Sequence, residues 1–190
     1  MTRKKLDLLF VGLHVPIDFI LIILAGITAY KVRFFNAITE IRPAVYSISF
    51  GNFVEIMFYI AALMITIFAI SGIYRINKKT SFLEQVIKLF NTVSFAAMFI
   101  VVFIFFKREY FSSRFIMLAG YAFAILYLII SRAILRKIRH LLYKKGVGVS
   151  KVILVGNGRN FDIMKQSMNE NYKMGYKILE TVNSFSEFEN

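Results

Sequence analysis

Four apolar runs, each long enough to cross about 30 Å of hydrocarbon at 1.5 Å per residue, constrain this chain more than any other feature. They cover roughly Leu8–Tyr30, Phe53–Ile73, Val86–Phe106 and Phe115–Ala133. Composition agrees with a bilayer environment: 58% of the residues are hydrophobic, 21 are Phe, and the mean hydropathy is +0.64. A soluble domain of this size seldom carries so much apolar residue. The opening "MTRKKLDLLF" has the basic start of a secretory signal, and "AGITA" resembles a cleavage site. Against a signal stand the length of the apolar region, its interruption by Pro16 and Asp18, and the three runs that follow. Residues 1–145 therefore read as an all-α membrane domain, a four-helix transmembrane bundle with a basic linker helix at its end.

The formal charge is +13, from 24 Lys and Arg against 11 Asp and Glu. The basic residues sit between apolar runs, a placement suited to the anionic inner leaflet of a membrane and not to nucleic acid. Their distribution sets the orientation. One side holds Arg3, Lys4, Lys5, Arg75, Lys78, Lys79, Lys88, Arg132, Arg136, Lys137, Arg139, Lys144, Lys145 and Lys151. The other holds Lys31, Arg33, Arg42, Lys107, Arg108 and Arg114. Both termini are thus expected in the cytoplasm, with the spans in the inner membrane. There are no cysteines, and the two histidines, His14 and His140, are far apart, so no metal site and no cysteine nucleophile is expected.

Two stretches beside the spans have a texture of their own. In "KKTSFLEQVIKLFNTV", Ser81 followed by Glu84 fits a capping box and predicts a helix start. That helix reads either as lying partly in the headgroup layer or as the polar start of the third span. "RAILRKIRHLLYKKG" continues the fourth span. Ile134, Leu135, Ile138, Leu141 and Leu142 recur at helical spacing among Arg132, Arg136, Lys137, Arg139 and Lys144. It reads as a helix resting on anionic lipid, or as a specific lipid-phosphate or sugar-phosphate site.

Within the first span, His14 and Asp18 lie four residues apart on one helix face, with Pro16 between them. A carboxylate at bilayer depth faces a bundle interior or a wet cavity. A proton relay is one reading. The other is structural: a His–Asp pair, or Asp18 paired with a basic residue of a neighbouring span. The second is favoured, because the centres of the other spans carry no ionisable group that would extend a relay.

After the membrane domain comes "KVILVGNGRNF". Val152–Val155 has the make-up of a strand buried on both faces. Gly156 permits a tight turn, and Gly158 lets the backbone approach a phosphate at a helix N-terminus. A helix over 160–170 and a strand in "GYKILETV" complete a βαβ unit, with Glu180 near the place of a ribose-binding acid. The third glycine of the G-x-G-x-x-G fingerprint is replaced by Phe161, where a side chain should crowd the helix–strand contact. Gly156 and Gly158 are thus a candidate nucleotide-phosphate turn, and no cofactor is assigned. Residues 150–190 read as an incomplete α/β, Rossmann-like stub, since two parallel strands cannot stand alone.

Taken in order, these features resemble the N-terminal half of bacterial polyprenyl-phosphate sugar phosphotransferases, the membrane enzymes that initiate exopolysaccharide, capsule or O-antigen assembly. The residues that carry the resemblance are Asp18 with "AYKVR" at the exit of the first span, and "SGIYR" after the second. The longest match is "FSSRFIMLAGYAFAILYLIISRAILRKIRHLLYKKGVGVSKVILVGNG", with Arg114 opening the fourth span and Arg132 closing it. The resemblance implies that the stub begins a Rossmann-like, CoA-binding-like domain, and that catalysis belongs to a C-terminal domain with an embedded helix and an Asp–Glu pair. Residues 151–190 match neither feature, so no catalytic residue is assigned and the chain alone is expected to be inactive. The expected role is membrane anchoring and regulation, as a homo-oligomer or with the missing catalytic half. The alternative is a stand-alone four-span interaction or regulatory protein.

Overall fold

The computed structural model describes residues 3–34, 49–75, 81–106, 114–170 and 175–182. Among them are five helices and two strands: α1 (Arg3–Arg33), α2 (Phe50–Ile70), α3 (Phe82–Phe106), α4 (Arg114–Lys144), β1 (Ser150–Val155), α5 (Arg159–Glu170) and β2 (Tyr176–Val182). The four-helix membrane fold with a small α/β stub is thus as expected. Lys4–Arg33, Phe50–Ile70, Phe82–Val102 and Phe115–Lys144 are long and apolar enough to cross a membrane. α1 is continuous through Pro16.

Local chemistry accounts for several helix ends. The Ser49 hydroxyl accepts from Asn52 N–H at the start of α2 (3.4 Å). At α3 the anticipated capping box is present in both directions: Glu84 N–H donates to Ser81 Oγ and Ser81 N–H donates to Glu84 Oε2, each at 3.3 Å. α3 then runs unbroken to Phe106, so this segment is the polar start of the third helix and not a separate one lying apart. α2 and α4 both stop at a left-handed glycine. Gly72 (φ +66°) donates to Ala69 O while Ile73 N–H reaches Phe68 O; Gly146 (φ +76°) donates to Tyr143 O while Val147 N–H reaches Leu142 O. This is the paired hydrogen-bond pattern that closes a helix when the residue after it adopts positive φ.

The residues fall into two compact units, Val11–Arg132 and Met1–Phe10 together with Ala133–Asn190. In the first, α2 turns Phe53, Met57, Ala61, Met64 and Phe68 inward, and α3 turns Leu89, Val93 and Ala96 inward, both at helical spacing. Small residues let backbones approach, which is how helices associate when lipid removes the hydrophobic drive. Ala29, Ala61 and Ala96 are fully buried, and a side chain at Gly26 would collide with Met57. Hydrogen bonds add direction: Thr28 on α1 pairs with Tyr127 on α4 (3.1 Å), and Ser94 on α3 with Tyr121 on α4 (2.7 Å). Outward positions such as Ile87, Phe95, Met98 and Phe99 are large and apolar, as lipid contact requires.

In the second unit β1 and β2 pair in parallel from Ser150↔Tyr176 to Val155↔Val182, with an irregularity between Val152 and Ile153. Contrary to the expectation of a strand buried on both faces, only Leu154 of β1 is buried. A two-stranded sheet crossed by one helix has cover for a single face. The start of α1 belongs to this unit. Leu6 and Phe10 are buried there, and a Cβ at Gly148 would lie 2.7 Å from Leu6 Cδ1. Tyr143 is likewise buried, close against Gly175.

Candidate functional site

Three residues that sequence places on separate elements meet in the Val11–Arg132 unit. Asp18 on α1 is fully buried and Arg132 near the middle of α4 is 9% exposed. Arg132 Nη2 donates to Asp18 Oδ2 at 2.6 Å, and Tyr74 Oη donates to the same oxygen at 3.0 Å. The guanidinium also lies 6.0 Å from the centre of the Tyr74 ring, at the outer limit of a cation–π contact. Asp18 Oδ1 and Arg132 Nη1, both buried, make no hydrogen bond among the described residues. The ion pair is therefore monodentate.

Tyr74 reaches this point because of how α2 ends. The positive φ of Gly72 reverses the chain, and its carbonyl then accepts Arg75 N–H (3.3 Å) and the Lys88 ammonium (2.9 Å) from α3. A Cβ at Gly72 would also press on Arg75 at 3.2 Å. With the turn so held, the phenol is delivered to Asp18. Burial, and then the Asp18 charge, pushes the Tyr74 phenol above its ordinary range, so it stays protonated and donates.

Asp18 lies beside the turn that follows α2, whose Tyr74 bonds to it. From Asp18 to Arg33 α1 rises about 23 Å, and from Arg114 to Arg132 α4 rises about 27 Å, close to one hydrocarbon thickness. Arg114 opens α4 eighteen residues before Arg132, so the two share no site; Arg114's side chain lies outside the described residues. His14 is half-buried one turn before Asp18. Among the described residues Asp18 is sealed from solvent, while Tyr74 is half-buried. The cluster's chemistry is that of a clamp joining α1, α4 and the α2–α3 turn. Sequence marked "SGIYR" only as part of a resemblance and Lys88 only in the charge count; neither Tyr74 nor Lys88 was identified as a member of this cluster.

The glycine turn lies in the other unit. Gly156 (φ +137°) and Gly158 (φ +94°) both adopt conformations that disfavour side chains, and space beyond Gly158 is open. Gly156 N–H is already committed to Val182 O (2.9 Å), and Gly158 O accepts the first-turn amides of Phe161 and Asp162 (3.0 and 3.2 Å). Phe161, expected to crowd the helix, is half-buried at ordinary contact distance from a Cβ built on Gly156 (3.5 Å). Asp162 supplies the negative charge that a helix N-terminus favours. Glu180 is exposed and pairs in register with Ile153, two residues short of the end of β2. The turn fits a phosphate in its backbone conformation only: the Gly156 amide is spent, and a carboxylate stands in the first turn of α5. Among the described residues no three His, Cys, Asp or Glu side chains are grouped to hold a metal ion.

No curated protein matches the chain. The sequence profile of a family described as "CoA-binding domain" matches residues 69–187, more than half of it. The match begins in the last turn of α2, takes in α3 and α4, and extends through β1, α5 and β2. Such a domain is found in sugar transferase family proteins. With the match running across membrane helices and glycine turn alike, the chain belongs to this CoA-binding domain family.

Proposed function

We propose that the chain is the membrane-anchoring and regulatory N-terminal part of a polyprenyl-phosphate sugar phosphotransferase of exopolysaccharide or O-antigen biosynthesis. It sits in the inner membrane with both termini in the cytoplasm, as the Lys and Arg distribution requires. Residues 1–145 anchor and assemble; residues 150–190 open the Rossmann-like domain; catalysis belongs to a further segment or a separate chain. One observation supports this reading above others. Asp18, the tyrosine of "SGIYR" and Arg132, which carry the resemblance at widely separated positions, form one cluster around a buried ion pair. No cofactor is assigned to the glycine turn.

Two measurements test the proposal. An antibody to the N-terminus should detect, in membranes of the source cell, a band well above 22.0 kDa. A clean band at that mass, with no catalytic chain co-purifying, would favour the stand-alone protein instead. Purified chain incubated with nucleotide-sugars and polyprenyl phosphate should form no lipid-linked sugar phosphate; product above the no-protein control would overturn the non-catalytic assignment.

A further inference from the structure

Beyond Arg132, α4 divides into two faces. The inward face carries Leu135 and Tyr143, both buried, and Arg139, which lies 3.9 Å from the buried Asp7 carboxylate and over the Phe10 ring at 4.9 Å. Two residues that sequence periodicity grouped with the outward, lipid-directed set, Leu135 and Arg139, are therefore engaged within the protein. The outward face keeps Ile134 (52% exposed), Ile138 (42%) and Leu141 (52%), with the exposed Lys137, Lys144 and Lys145 beside them. At 100° per residue all six fall within one half of the helix circumference.

Three exposed branched aliphatics among three ammonium groups are costly in water and suit few partners. A second copy meeting this face would bring like charges together, and α4 contains no Asp or Glu to offset them. The aliphatics continue, at helical spacing, the stripe of Leu126 (49% exposed) and Ile130 (46%) that precedes them on the same helix. α4 is about 45 Å long, as long as a hydrocarbon core with both polar layers. The C-terminal end of α4 thus reaches the polar layer, where apolar stems and phosphate-seeking lysines are both accommodated.

We propose that this face binds the headgroup layer of anionic phospholipid, with Ile134, Ile138 and Leu141 against the acyl chains and headgroup stems and Lys137, Lys144 and Lys145 on lipid phosphates. The proposal rests on the reading of α1–α4 as membrane spans, and it goes beyond a basic tail near a membrane by separating lipid-binding cations from the structural Arg139.

The chain has no cysteine, so single cysteines introduced into the full chain report one position each. Ile138→Cys, Phe99→Cys on α3 and Glu180→Cys on β2 would be nitroxide-labelled in nanodiscs of phosphatidylcholine alone or with phosphatidylglycerol. Accessibility to oxygen and to a water-soluble nickel chelate would then be compared. Phe99 should favour oxygen in both discs and Glu180 the nickel chelate. At Ile138 nickel access should fall about fivefold when phosphatidylglycerol is present, the factor expected for even one lysine held at an anionic surface. Lys137→Gln/Lys144→Gln/Lys145→Gln should abolish that fall without altering the helical circular dichroism. Nickel access at Ile138 equal to that at Glu180 in both discs would overturn the proposal. So would equal shielding in both lipids, which means apolar burial without phosphate recognition, and so would spin–spin broadening between copies. Shielding seen only in native vesicles would assign the face to a protein partner. An aqueous signature at Phe99 would defeat the spanning reading itself.

Discussion

Replacing Arg132 with methionine should destabilise the membrane unit far more than removing the pair altogether. The substitution keeps roughly the volume and the unbranched stem but removes the guanidinium charge 2.6 Å from a carboxylate with no solvent exposure. Asp18 would retain the Tyr74 hydrogen bond alone. Breaking a buried pair in this way costs about 3–5 kcal/mol, because a desolvated charge is left without its counter-ion. The Asp18→Leu/Arg132→Met double variant strands no charge, leaves only the Tyr74 hydroxyl to find a new acceptor, and should recover most of the loss. The assay is unfolding of the purified full chain in mixed micelles with increasing dodecyl sulfate, followed by helical circular dichroism, since the chain has no Trp to report. The reasoning fails if Arg132→Met costs less than about 1 kcal/mol, the range of an exposed pair. It fails equally if the double variant is as unstable as the two single losses added together.

The other predictions concern the turn and the stub. Tyr74→Phe should cost about 1.5–3 kcal/mol in the same assay, the worth of a hydrogen bond to a charged group. Because Tyr74 is held above its ordinary range, the unfolded chain loses the phenol proton first. Stability should therefore fall as pH climbs past about 10, and Tyr74→Phe should flatten that fall. Gly146→Ala, with φ +76° and open space around it, should cost about 1 kcal/mol of backbone strain. Gly148→Ala shares the strain (φ +75°) and adds a collision with Leu6, so it should cost clearly more and lose part of the excess when combined with Leu6→Ala. Protease sensitivity of the 150–182 region would rank the three.

Much of the architecture was legible because its signals are local. An apolar run of twenty residues has few places to go but a bilayer, and Ser81 with Glu84 marks a helix start at whatever depth it lies. The βαβ order followed from strand composition and glycine placement for the same reason. The polar cluster was legible only in part. Asp18 announced itself by its cost in an apolar helix, and a structural pairing, with His14 or with a basic residue of another span, was the favoured reading. Which residue depends on contacts 56 and 114 positions away that no periodicity encodes. Tyr74 was invisible as a partner because its direction is set by the reversal at Gly72. The basic segment misled in one respect: helical spacing shows which residues share a face, but not that Arg139 turns toward Asp7.

The distance in sequence between Asp18 and Arg132 has a consequence for synthesis. The first helix emerges with a carboxylate whose counter-ion lies 114 residues later. At about 5–20 residues per second, the ribosome needs roughly 6–23 s to produce it. During that interval α1 holds an uncompensated acid within an apolar helix and has reason to stay shallow, protonated or associated with the insertion machinery. The order of assembly is then imposed by charge: α1 cannot settle until α4 arrives. Chains halted before α4 should be degraded faster than Asp18→Leu chains halted at the same point, and equal half-lives would show that the acid waits at no cost.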